Sequence, residues 1–365
     1  MTGPSPSTWR LFQALCRAIG GQDHEALRGC IESGELESLI AMARQQDVLP
    51  ALAVRCTEQF PDKRLPSTTR EQQLLEPLRE NTLRNMEIRA QAINVARRLN
   101  EAGIIPLFLK GTALLLTDAN DHIGFRKQVD IDLLVKPEQL ESAARSLLAD
   151  SYIFCDTRAG TAEQPKLFGD FTRADRKSAA HHHLPPMLKQ RFKATVELHR
   201  HFLPKRFQGK CTVQSIFESA VQHQSHDAVF MVPSANYQAI ALILGKLVHD
   251  GFLARRALPL REAHDYIGLL ERSAGELDEV LIQRCCGKSF SRFHHLLIAI
   301  TGYSSALSLT SACDVSRDLE LMELRCNSSG VGKLLNAYAR ACHLSLTLLH
   351  NPARLPTYLR HLRHA

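Results

Sequence analysis

The sequence contains few aromatic residues and a single tryptophan, and it has no apolar run long enough to cross a membrane. Aromatic side chains make up 6% of the 365 residues, and hydrophobic residues make up 44%, which is an ordinary composition for a globular protein. A membrane-spanning helix needs about 18 or more consecutive apolar residues. We therefore expect a cytoplasmic protein that has no membrane partner.

The ten cysteines lack the spacing of a metal site or of a disulfide framework. They are scattered along the chain, and none of them forms a C-x-x-C pair, which is the arrangement typical of structural zinc sites. We expect unpaired thiols, as in proteins of a reducing compartment.

A small excess of positive charge leaves the class of partner open. The chain has 45 Lys and Arg residues against 38 Asp and Glu residues, a formal net charge of +7. This balance permits binding to a polyanion such as RNA without requiring it. The basic stretch at 354–364 could lie along a phosphate backbone, although charge runs are more commonly solvated surface.

The spacing of apolar residues changes twice along the chain and predicts an α+β fold. Residues 1–95 show the three- and four-residue steps of helices, residues 96–204 mix short strand patterns with helices, and residues 205–365 return to helical spacing. We interpret these regions as three domains: a small mixed β-sheet core flanked by N-terminal and C-terminal helical regions. Within the core we expect a helix at 112–117, strands at 104–109, 128–135, 152–155, 181–184 and 193–199, and a loop at 156–180.

Two carboxylates are expected to lie side by side on the second of these strands. Asp130 and Asp132 are separated by one residue, and the side-chain period of a strand is two, so both point to one face. Val129, Ile131 and Leu133 would then turn into the core. Paired carboxylates suit a hard divalent cation such as Mg²⁺, which is commonly held together with substrate phosphates.

Three short motifs carry a resemblance to a known family. They are L-K-G ending at Gly111, R-x-x-x-D-I-D from Arg126 to Asp132, and V-E-L-H from Val196 to His199. Together they resemble the nucleotidyltransferase fold of the DNA polymerase β-like superfamily, and more narrowly a family of uncharacterised bacterial nucleotidyltransferases. The resemblance covers about residues 96–204, with weaker similarity in the helices near 247–270.

The resemblance implies a catalytic centre built from three acids. Asp130 and Asp132 would hold Mg²⁺ or Mn²⁺, and Glu197 would be the third acid on a later strand. Glu197 would help to hold the metal or would accept the proton of an acceptor hydroxyl group. His199 lies on the same strand face as Glu197 and would orient it or contact the nucleotide.

The resemblance also implies a nucleotide-binding segment. Gly111 and Thr112 would lie beneath the triphosphate, since glycine lets the backbone approach a phosphate and the following helix N-terminus offers unpaired N–H groups. Lys110 and Arg126 would neutralise phosphate charge.

The implied activity is transfer of a nucleoside monophosphate from a nucleoside triphosphate such as ATP to a hydroxyl group, with release of pyrophosphate. The acceptor is left open between a small molecule, an RNA end such as that of tRNA, and a protein side chain. The alternative is a catalytically silent module on the same fold that binds a nucleotide or a partner protein.

Two further groups of residues have open roles. The run His181–His183 could supply at most two imidazoles to one ion, because adjacent side chains of a strand face opposite sides, and a dedicated zinc site is the less favoured interpretation. On the C-terminal helices, Lys246 and His249 could reach a nucleotide. Arg261 and Asp265 are four residues apart and predict an ion pair on one helical face.

Overall fold

The computed structural model describes residues 8–20, 24–60, 69–117, 122–161, 164–179, 181–273, 277–304, 307, 309 and 313–350. The basic stretch at 354–364 lies outside these residues. Within them, no helix is both long enough and apolar enough to span a bilayer. All ten cysteines are free thiols, as expected.

The N-terminal part is helical, as its apolar spacing predicts. A segment of π-type turns at Thr69–Leu75 leads into α5, which ends where Gly103 adopts a φ of +73°. The N–H of Ile104 then donates to the carbonyl of Leu99, which is the hydrogen bond of a Schellman cap. The helices are α1 (Thr8–Gly20), α2 (His24–Glu32), α3 (Leu36–Gln45), α4 (Leu49–Gln59) and α5 (Glu76–Glu101).

The described residues form one mixed sheet of eight strands, which confirms the α+β class. The strands are β1 (Leu107–Phe108), β2 (Asp130–Leu134), β3 (Ile153–Thr161), β4 (Gln164–Phe168), β5 (Met187–Leu188), β6 (Thr195–His199), β7 (Val221–Ser225) and β8 (Ala228–Val232). Their order is β4-β3-β5-β6-β2-β1-β8-β7. The central strands β2 and β6 are parallel, β1 is antiparallel to β2, and β1 is parallel to β8.

Further helices connect the strands and follow the sheet. Helix α6 begins directly after β1, and α7 connects β2 to β3. A segment of π-type turns at Ala241–His249 continues α10 without a break. The helices are α6 (Lys110–Leu116), α7 (Leu140–Ala149), α8 (Phe171–Ser178), α9 (Val213–Glu218), α10 (Ala235–Ile240), α11 (Leu260–Arg272), α12 (Glu279–Cys286), α13 (Lys288–Thr301), α14 (Ser316–Asn327) and α15 (Ser329–His350).

Three of the predicted elements are wrong. The expected loop at 156–180 contains the end of β3, the strand β4 and the helix α8. The expected strand at 181–184 is reduced to one bridge between His183 and His199. The return to helical spacing after 205 overlooks β7 and β8, because β7 is a polar edge strand and β8 is a short apolar run whose period does not distinguish strand from helix.

Two hydrophobic cores stabilise the molecule. One lies between α5, the sheet and α7, and contains side chains such as Ile88, Ile131 and Leu147. The other joins the N-terminal helices to the C-terminal helices, with Leu15 and Phe293 both fully buried in it. The division into 1–95, 96–204 and 205–365 stays a prediction about domains. Helices of the first and third regions share a core, and α5 runs through the boundary at residue 95.

Candidate functional site

The register between β2 and β6 brings the predicted acids together. In this parallel pair Asp132 lies directly opposite Glu197, and Asp130 lies opposite Thr195. Ile131 and Leu133 are fully buried on the other face, as predicted. Val129 is 45% exposed, so its predicted burial is wrong, because β2 begins one residue later.

Lys110 closes one side of the carboxylate cluster. It follows β1, and the N–H of Leu109 donates to the carbonyl of Asp132 at 3.0 Å, which fixes this turn against β2. The Lys110 ammonium group lies 2.7 Å from Asp132 Oδ1. Its φ of +51° is in the left-handed region, which costs a non-glycine residue of the order of 1 kcal/mol. Packing therefore holds this cation in a strained conformation beside the acids.

His199 lies on the other side of Asp132. Its ring is completely buried, with Nε2 2.8 Å from Asp132 Oδ1 and 3.9 Å from Glu197 Oε2. Asp132 Oδ1 therefore accepts from both Lys110 and His199. Burial lowers the pKa of His199, which leaves a neutral imidazole that donates its Nε2–H to the carboxylate.

The three acids have different electrostatic environments. Burial alone would raise the pKa of Asp132, but Lys110 and His199 outweigh it and hold that pKa well below its usual range. Burial and the charge of Asp132 raise the pKa of Asp130. Burial, Asp132 and Asp130 raise the pKa of Glu197 to about 7. The cluster thus holds more negative charge than Lys110 neutralises.

This donor set fits a divalent metal ion. One ligand atom each from Asp132, Glu197 and His199 lie within 4.8 Å of one another, and the raised pKa of Glu197 reflects carboxylate repulsion that a cation relieves. Metal-bound histidines normally donate their second ring N–H to a partner. Among the residues described, the buried Nδ1 of His199 has no such partner, so His199 fits better as a hydrogen-bond donor to Asp132 than as a direct ligand.

Arg126 forms a buried ion pair close to the cluster. Its Nε lies 2.9 Å from both carboxylate oxygens of Asp265 in α11, and both side chains are only 10% exposed. Its Nη1 donates to Gln128 Oε1 at 2.6 Å. A Cβ atom on Gly111 would overlap Arg126 and Gln128. The absence of a side chain at Gly111 therefore makes room for this arginine.

Thr112 anchors α6 to β2. The side chain is completely buried, and its hydroxyl oxygen accepts from the N–H of Asp132 at 3.3 Å while Gln128 Nε2 lies at the same distance. The hydroxyl group is thus directed at the strand that carries the acids.

A cavity of about 300 Å³ opens over the acids, between the sheet and the C-terminal helices. Six of the eight predicted site residues line it, and the remaining two, Thr112 and His199, are completely buried. The lining residues from the predicted set are Lys110, Gly111, Arg126, Asp130, Asp132 and Glu197.

The cavity is also lined by residues from the two groups whose roles the sequence leaves open. His182 and His183 line it, and so do Lys246, His249 and Arg261. Burial lowers the pKa of His183 to about 4, so its ring is neutral at pH 7.

The predicted ion pair between Arg261 and Asp265 is not formed. Arg261 forms an ion pair with Glu262 at 2.7 Å instead, because Asp265 forms its ion pair with Arg126. Sequence reasoning missed Gln128 and Asp265 as site residues. Gln128 lies two residues from both Arg126 and Asp130, and this proximity was the one available signal.

Fold and site together define an α+β protein with a carboxylate centre on the central strands of a mixed sheet, and this centre could hold a metal ion. A family model described as "Uncharacterised nucleotidyltransferase" matches residues 32–302 of the chain. The chain belongs to this family, which confirms the resemblance to uncharacterised nucleotidyltransferases. The match extends well beyond 96–204 and includes most of the helices that form the cavity wall. A search of curated proteins found no match.

Proposed function

We propose that this protein transfers a nucleoside monophosphate from a nucleoside triphosphate to a hydroxyl group of an acceptor, and releases pyrophosphate. The observation that carries the proposal is the pairing of Asp132 with Glu197 on adjacent parallel strands. Asp130 lies two residues before Asp132 on the same strand. Membership of a nucleotidyltransferase family supports it.

All three acids would hold the metal ion, and one of them would also accept a proton. Asp130, Asp132 and Glu197 would hold Mg²⁺ or Mn²⁺. When bound, the ion would lower the pKa of the acceptor hydroxyl group and stabilise charge on the transferred phosphoryl group. Glu197 is also the candidate base for the hydroxyl proton, because the bound ion would relieve the carboxylate repulsion that raises its pKa and would keep its carboxylate ionised.

The neighbouring cations would bind the triphosphate. Lys110 is half exposed and lies at the mouth of the cluster, so it can exchange its contact with Asp132 for a phosphate oxygen. Arg126 offers its guanidinium from the cavity wall, although a phosphate would have to compete with Asp265. Thr112 and His199 position Asp132 from within the protein.

The test is transfer of label from each of four α-labelled nucleoside triphosphates in the presence of Mg²⁺ or Mn²⁺. Cell extract separated into RNA, protein and small-molecule fractions supplies the acceptor. The Asp130→Asn/Asp132→Asn variant is the control. We expect label to appear in one fraction with the unmodified protein alone. Equal nucleotide binding by both proteins without transfer would instead support the silent binding module.

Metal affinity should depend on pH through Glu197. Its carboxylate must lose a proton to bind a cation, so affinity should fall about tenfold for each pH unit below 7 and level off above 7. The folding stability of the metal-free protein depends on pH in the opposite direction. The pKa of Glu197 rises from an ordinary 4.5 to about 7 on folding, so its contribution to stability is lost as pH increases through that interval.

Titration calorimetry with Mn²⁺ at pH 6, 7 and 8 measures this dependence. The Glu197→Gln variant should bind metal more weakly and lose most of the pH dependence. A wild-type affinity that is the same at pH 6 and pH 8 would contradict the assignment of Glu197 as a ligand.

A further inference from the structure

Gln238 lines the cavity and has a side-chain amide whose orientation is fixed by a hydrogen bond. The side chain lines the cavity from α10, and its Nε2 donates to the carbonyl oxygen of Pro233 at 2.8 Å. A carbonyl oxygen can only accept, so this hydrogen bond identifies the nitrogen and fixes which end of the amide is oxygen. In the part of the chain that the structure describes, Oε1 has no hydrogen-bond partner.

The topology places the segment that leads to Gln238 at the same end of the strands as the carboxylates. Strands β1 and β8 are parallel, with Leu107 opposite Met231, so the segments that follow them, Lys110 and Pro233, emerge at one edge. Strand β2 runs in the opposite direction and begins there with Asp130. Adjacent strands are about 4.8 Å apart, so β2 and β8 are separated by about 10 Å.

Apolar residues line the same cavity as Gln238. Leu242 follows Gln238 along the chain, Pro233 precedes it, and both line the same cavity. Phe202 and Pro204 line the cavity as well. A nucleobase has two apolar faces and a polar edge, which this combination of apolar walls and one oriented acceptor complements.

We infer that Gln238 contacts the base of the nucleoside triphosphate and selects adenine and cytosine, whose 6-amino and 4-amino groups stand where guanine and uracil carry a carbonyl group. The inference rests on the proposed function, because it takes the ligand to be a nucleotide. An amine donates to Oε1, whereas the carbonyl of guanine or uracil places an acceptor against an acceptor. Turning the amide to offer its N–H breaks the hydrogen bond to Pro233.

The test compares equilibrium binding of ATP with that of purine riboside triphosphate, which lacks only the 6-amino group, in the presence of Mg²⁺. The wild-type protein should bind ATP about tenfold more tightly, the effect of one hydrogen bond. Gln238→Met keeps the side-chain length without the amide and should bind both equally. Gln214→Met, on the exposed surface of α9, should retain the tenfold difference.

Inorganic tripolyphosphate, which has no base, separates this inference from the proposed function. It should bind equally to the wild type and to Gln238→Met, which also shows that the variant is folded. Equal affinity of the wild type for ATP and purine riboside triphosphate, with tripolyphosphate bound, would overturn the base-reading role alone. Absence of binding by tripolyphosphate and by every nucleotide would overturn both proposals.

The other nucleotides distinguish amine recognition from recognition of ring size. ATP and CTP should bind more tightly than GTP and UTP. A preference for ATP and GTP over CTP and UTP would contradict the role of Gln238, because it would follow purine size rather than the amino group at purine position 6 or pyrimidine position 4.

Discussion

Asp132→Asn should reduce nucleotidyl transfer by about 10³-fold or more while leaving the protein folded. The loss is large because catalysis of phosphoryl transfer rests on positioning and on electrostatic stabilisation. Asp132 is the acid that contacts both Lys110 and His199 and lies opposite Glu197. Asparagine preserves the size of the side chain and one acceptor oxygen, and it removes the charge. Single-turnover transfer of label, together with calorimetric Mn²⁺ binding, measures the effect.

A matched control is available on the same sheet. Asp227 lies in the turn between β7 and β8 and pairs with the exposed Arg97. Asp227→Asn should leave transfer and Mn²⁺ binding unchanged. If Asp132→Asn kept more than a tenth of the wild-type rate, the carboxylate cluster could not be the catalytic centre.

Asp265→Asn should reduce the free energy of unfolding by about 3 kcal/mol, because it leaves Arg126 buried without a counter-charge. Both side chains are only 10% exposed, so water replaces the lost partner poorly. Urea denaturation followed by circular dichroism measures the change. The neighbouring pair Lys127–Asp47 is about half exposed, and Asp47→Asn should change stability little.

A double replacement separates the structural role of this pair from a role in binding. Arg126→Met/Asp265→Leu removes both charges and keeps apolar volume, so stability should recover most of the loss. If Arg126 also binds phosphate, the double variant should still bind tripolyphosphate more weakly than the wild type. Full recovery of both properties would assign Arg126 to stability alone.

Local sequence patterns were sufficient to predict the strand and the common face of the two acids of β2. The period of two placed Asp130 and Asp132 on one face, and the surrounding apolar residues identified the strand. The pairing of Asp132 with Glu197 depends on register between strands that are far apart in the sequence, so only the family resemblance could suggest it. The hydrogen bonds that occupy Thr112 could not be read from the sequence, because they require the position of α6 against β2.

Competition from a residue distant in the sequence explains why the predicted ion pair does not form. The spacing of Arg261 and Asp265 favours a contact on an exposed helix, which contributes only a few tenths of a kcal/mol. Asp265 instead faces a buried guanidinium that comes from a distant segment, where the energetic consequence of an unpaired charge is much larger. The edge strand β7 was missed for a related reason. Its side chains are mostly polar and do not alternate with apolar ones, so only its pairing with β8 identifies it as a strand.

The position of β8 beside β1 has a consequence for synthesis on the ribosome. The chain completes β2 and β6 well before it reaches β8, so the two strands that carry the acids can pair while the C-terminal helices are still unmade. Strand β1 then has one neighbour and an open edge until residues 228–232 leave the exit tunnel. The strands that carry the carboxylates can therefore pair before the helices of the cavity wall have been synthesised.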